Sequence, residues 1–127
     1  MNTTDFVTYD QAWILNKLRY TGEIEYIYFK TNSKLQILPT HEYLCTGFAK
    51  IADKDSSVAA YKLSKVHQWL IEKGIYIMII PQSKNLWDFD LIQIETNHKI
   101  YSSNIKYNSY NEALSDGITE TLKILQI

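Results

Sequence analysis

The chain has one cysteine, one arginine and four scattered glycines in 127 residues. Cys45 alone leaves no internal disulfide framework. Of the 13 Lys and Arg residues only Arg19 is arginine, so a nucleic-acid reader would lack the forked contacts that guanidinium makes to phosphate and guanine. Gly22, Gly47, Gly74 and Gly117 are isolated, and no glycine-rich phosphate loop exists. No apolar run approaches the roughly 20 residues of a membrane span, and there is no charged start leading into an apolar stretch. Nor is there an excess of charge, with 13 cationic residues against 14 Asp and Glu spread over both halves. These absences disfavour secretion, membrane insertion, loop-type nucleotide binding and nucleic-acid binding, and the location expected from them is the cytoplasm.

What is present reads as one α+β domain spanning 1–127. Thr8 and Gln11 have capping-box spacing, and Ile14, Leu15 and Leu18 follow at helical intervals up to Gly22, which predicts a helix over about 9–20. "IEYIYFK" and "LQILP" flank the turn-forming "TNSK", the pattern of a hairpin, so 1–39 reads as helix plus hairpin. Residues 40–57 show no clean period and read as a long loop, a functional or mobile one at that length. From 58 onward the pattern is helix, three strands, helix. Ala59, Leu63, Val66 and Leu70 line one helical face ahead of Gly74. "IYIMIIP" is apolar at both parities, as in a strand near the middle of a sheet. In "WDFDLIQIE" the apolar phase slips by one residue, which predicts a bulge near Leu91, and "KIYSS" supplies a short further strand. Ser109 and Glu112 form a second S-x-x-E cap, and Gly117 lies on the apolar face of the last helix, where it permits close approach to the sheet. The expected order is α-β-β-α-β-β-β-α, a mostly antiparallel sheet of about five strands with three helices.

Four residues could carry chemistry. His41 and Cys45, four apart, could hold zinc with a ligand from elsewhere, or act as base and thiol nucleophile if they touch. Without a second cysteine or paired histidine, ordinary loop residues are the simpler account, and no metal or cofactor is expected. Asp88 and Asp90 share one face of a strand and could bind Mg²⁺ or act as acid and base, but a solvated strand face explains them equally. His67 lies at the border of an apolar stripe and reads as a partly exposed surface histidine. No internal repeat or catalytic motif appears.

Two stretches carry a resemblance: "KVHQWLIEKGIYIMIIP" at 65–81 and "YNSYNEALSDGITETLKIL" at 107–125. Through Gln68, Trp69, Leu70, Glu72, Lys73, Gly74 and Ile75, and then Tyr107, Ser109, Tyr110, Glu112, Ala113 and Leu114, they resemble small uncharacterised proteins of phages and prophages in Bacteroides-type gut bacteria. The resemblance implies a mobile-element product in a bacterial cytoplasm and brings no catalytic residues with it. Residues 58–125 also resemble, in element order, the double-stranded-RNA-binding domain. In that family the start of the last helix carries phosphate-gripping lysines, whereas Tyr110, Asn111 and Glu112 stand here. The function expected from the sequence is a non-enzymatic accessory protein that binds a host or phage protein, with homodimerisation as an option. Nucleic-acid binding is second, and a ligand binder or enzyme with 40–57 as lid is third.

Overall fold

A computed structural model describes residues 3–126. They fall into two compact units, one of residues 6–61 and one of residues 3–5 with 62–126. Among the described residues there are six strands in two separate antiparallel sheets and five α-helices, in place of one five-stranded sheet and three helices.

In the unit 6–61, α1 (Tyr9–Lys17) is opened by the expected box: the Gln11 N–H donates to Thr8 Oγ1, and the Thr8 N–H donates back to Gln11 Oε1. The helix stops before Gly22 because Arg19 takes a left-handed backbone, φ 60°. Strands β1 (Tyr26–Thr31) and β2 (Lys34–Pro39) form the expected hairpin. Asn32 and Ser33 both have positive φ, 51° and 65°, as a two-residue loop matched to strand twist requires.

Successive strand residues point to opposite faces, and both faces of β1 are covered. On one, Tyr28 meets Tyr9 of α1 with ring centroids 5.9 Å apart and donates its hydroxyl to the Val7 carbonyl at 2.7 Å, while burial pushes its phenol pKa up. On the other, Phe29 packs against Tyr43 and Phe48 at 4.8 and 5.4 Å. Those two aromatics belong to the segment expected to be a loop. Residues 40–57 instead form α2 (Thr40–Cys45) and α3 (Phe48–Ile51), followed by a turn. In that turn Asp53 accepts the N–H groups of Asn32 and Ser33 at 3.1 and 2.8 Å and fastens the hairpin tip. The segment is a second layer on the sheet, held by apolar burial.

A further correction concerns Val58–Ala60, expected to open a helix around Ala59. They form β3, paired with Tyr26–Tyr28 on the far side of β1 from β2. β1 needed a second neighbour for its outward backbone groups, and the β-branched Val58 suits a strand.

In the other unit, α4 (Leu63–Glu72) precedes an antiparallel meander of β4 (Ile75–Ser83), β5 (Leu86–Gln93) and β6 (His98–Ser102), and α5 (Tyr110–Leu125) follows. Ser109 Oγ accepts the Glu112 N–H at 3.1 Å, while Glu112 Oε2 accepts from the Asn108 N–H rather than from Ser109. Gly117 does what its position in the stripe implies: a Cβ there would lie 2.6 Å from Ile77 Cγ2 and 3.5 Å from Phe89 Cδ2, so only glycine lets α5 sit this close to the sheet. Thr121, buried one turn later, donates to the Gly117 carbonyl and leaves no unsatisfied hydroxyl. The bulge expected in β5 near Leu91 is instead in β6, where Ile100 is the extra residue opposite Leu91/Ile92; β5 keeps unbroken register with β4 there, and its apolar phase slips because Leu91 and Ile92 face opposite sides of the sheet. β4, expected near the middle, is an edge strand.

Candidate functional site

The register places Ile75, Ile77 and Ile79 beside Gln93, Leu91 and Phe89 on the face that α5 covers. The opposite face carries Tyr76, Met78 and Ile80 from β4, then Ile92, Asp90 and Asp88 from β5, then Lys99 and Ser102 from β6. Tyr76 and Met78 are 41% and 37% exposed. This is why "IYIMIIP" is apolar at both parities: one parity is core and the other is a partly exposed apolar stripe, met by α4 where His67 lies against Tyr76. A buried central strand and an edge strand with an apolar outer stripe look identical by periodicity.

The stripe grades into charge across the strands. Asp88 Oδ2 accepts from Gln82 Nε2 at 2.8 Å and from Lys106 Nζ at 3.0 Å. Burial of this carboxyl acts to raise its pKa, but the hydrogen bonds from Lys106 and Gln82 and the lysine charge outweigh it and hold it below the ordinary carboxylate range. Asp90 Oδ1 accepts the Ser102 hydroxyl at 2.6 Å. The two carboxylates do share a face, as their spacing implies, but each has its own partner, and the cation beside Asp88 is Lys106. Among the described residues no group of three or more His, Cys, Asp or Glu could hold a metal ion.

His41 and Cys45 are also brought together, with Sγ 3.7 Å from Nδ1. Both are exposed on α2, whose buried residue is Tyr43. They do not lie beneath a lid, because the segment that carries them packs its aromatics onto Phe29.

Both edges of the β4–β5–β6 sheet are obstructed. The outward N–H of Ile77 is taken by His67 Nε2 at 3.2 Å, and Pro81, of the same parity, has no N–H. On the other edge the bulge at Ile100 breaks the regular ladder. His67 is partly exposed, as its position suggested, and is in addition an acceptor for a backbone amide. An imidazole at the border of an apolar stripe was visible in the sequence, but its reach to a backbone amide ten residues on was not.

Where α5 begins, Asn111 Nδ2 donates to Asp5 Oδ1 at 2.8 Å, and Glu112 lies one residue on. Two carboxylates thus stand at the helix end that would otherwise favour an anion. Among the described residues no helix is long and apolar enough to cross a membrane. No family model, curated protein or solved structure matches this chain.

Proposed function

We propose that this protein is a non-enzymatic protein-binding module, a phage or prophage accessory protein of the bacterial cytoplasm, that docks a helix of a partner protein on the bare face of β4–β5–β6. The observation that carries this is the exposed stripe of Tyr76 and Met78, continued by half-buried Ile80 and Ile92, on a sheet whose other face is packed. From Tyr76 to Ile80 and across three strands the face measures about 13 by 10 Å between Cα atoms, close to the roughly 10 to 12 Å width of one helix with its side chains. One helix laid across the strands covers such a face, as α5 covers the inner one. Asp90 and Lys99 at the border offer both signs of charge to its flanks, which favours orientation over raw affinity.

The order α4-β4-β5-β6-α5 supports a second reading, nucleic-acid binding. The charges oppose it. Lys62 and Lys73 cap opposite ends of α4, about 16 Å apart. Lys73 lies over the Trp69 ring at 5.4 Å, Lys106 neutralises Asp88, and Asp5 and Glu112 occupy the helix end where phosphate would approach.

A photoreactive residue at position 78 tests the docking face in lysate from lysogenic cells. A discrete protein adduct, absent when the same residue is placed at exposed Lys34, is the expected result. Recovery of DNA or RNA with no protein adduct would overturn the reading in favour of the second.

A further inference from the structure

The outward amides of an edge strand invite another strand to pair. On β4 the amide of Ile77 is held by an imidazole, and the donor geometry defines the ring's state: Nε2 accepts, so in the neutral ring the proton sits on Nδ1. The ring also lies against Tyr76 at 5.3 Å between centroids. Ile77 itself is only 1% exposed and fills the space opposite Gly117, so its amide belongs to the most tightly packed part of the sheet. We propose that His67 is a proton-operated latch, which ties α4 to the edge of β4 while neutral and releases the Ile77 amide when the ring takes a second proton.

Protonation turns the acceptor into a donor and sets N–H against N–H. It also places a cation in a half-buried position where burial disfavours it and, among the described residues, no carboxylate is paired with the ring. One helical turn either side of His67 stand Leu63, Ser64, Leu70 and Ile71, all uncharged. From β4 the titratable group in contact is Tyr76. The charged residues of α5 are engaged elsewhere: Glu112 with the Asn108 N–H, Asp116 with the Tyr107 hydroxyl, and Glu120 with Lys123. Burial accordingly holds the His67 pKa below the ordinary 6.5, in keeping with a latch closed at neutral pH and opened by acid. Once open, the Ile77 amide is available to water or to an added strand.

The test is nitrogen-15 NMR of the full chain. At neutral pH the His67 ring is expected to show a protonated Nδ1 and a bare Nε2. Through its titration, protection of the Ile77 amide from hydrogen exchange, normalised to the intrinsic rate, should fall about tenfold, the equilibrium factor for one net hydrogen bond. His67→Gln supplies an amide oxygen that accepts without titrating, and should keep Ile77 protected through the same pH range. A protonated Nε2 at neutral pH, Ile77 protection that ignores the titration, or the same fall in His67→Gln would each overturn the latch. If His67→Gln does not fold, the ring tautomer and the wild-type protection curve decide the matter alone.

Discussion

Tyr28 and Phe29 are neighbours on β1, point to opposite faces, and are both buried, whereas on β5 Phe89 is buried and its neighbour Asp90 lies on an open face. The first sheet has α1 on one side and the aromatic residues of α2 and α3 on the other. The second has α5 on one side and, on the other, the His67 ring of α4 against Tyr76 alone, although that face also carries exposed Met78. A sheet normally hides an apolar face against a second layer. On the function proposed above, the apolar residues left open on the second sheet are the seat of the partner.

The largest expected effect breaks this comparison at its covered end. Phe29→Ala removes a ring wedged between layers and should cost about 3 to 5 kcal/mol, while Met78→Ala should cost less than about 1 kcal/mol. Denaturant unfolding of the two variants measures both, and comparable losses would mean that the open face is not open. Next comes the seam between α5 and its sheet. Gly117→Ala gains about 1 kcal/mol of helix propensity but drives a methyl into Ile77, a branched side chain with no slack at Cγ2. A net loss of about 1 to 2 kcal/mol is expected from such overpacking. A stabilised variant would show that the close approach of α5 is not needed.

Smaller again is Asp53→Ala, which removes two acceptors from the hairpin tip and should cost about 1 to 2 kcal/mol, with faster amide exchange at Asn32 and Ser33. This probes whether residues 40–57 are a fastened layer or a loose lid, since a lid would leave the tip amides unchanged. The pH dependence of unfolding sharpens the comparison from the other unit. Because the His67 pKa is lowered on folding, its neutral form contributes full stability above the ordinary value of 6.5, and stability falls as the pH drops through and below that value. His67→Gln should flatten this limb of the stability curve.

The parts of the fold that could be read directly are those set by neighbours in the chain. The caps at Thr8 and Ser109, the Asn32-Ser33 turn and the face occupied by Gly117 depend on residues three or four apart or on a two-residue loop, and each is where its spacing puts it. What escaped reading was set by partners far away in sequence. Val58–Ala60 is a strand because β1 lay open beside it. Residues 40–51 hold two short helices because Tyr43 and Phe48 find Phe29, and two aromatics in a nominal loop were the one local sign of it. For the candidate site, the pairing of His41 with Cys45 and the shared face of Asp88 and Asp90 were legible from i,i+4 and i,i+2 spacing. Their partners were not, and neither was the edge position of β4, which turns half of an apparently buried strand into surface.

Met78→Glu compared with Leu44→Glu tests the central claim most directly. Both residues are exposed apolar side chains, 37% and 63%, one on the bare face and one on α2. Each charge should change folding stability by less than about 0.5 kcal/mol, as surface substitutions do. With equal unfolding midpoints established, the account expects Met78→Glu to retain at most a tenth of the partner captured by the wild type and Leu44→Glu to retain it all. Full capture by Met78→Glu would contradict it.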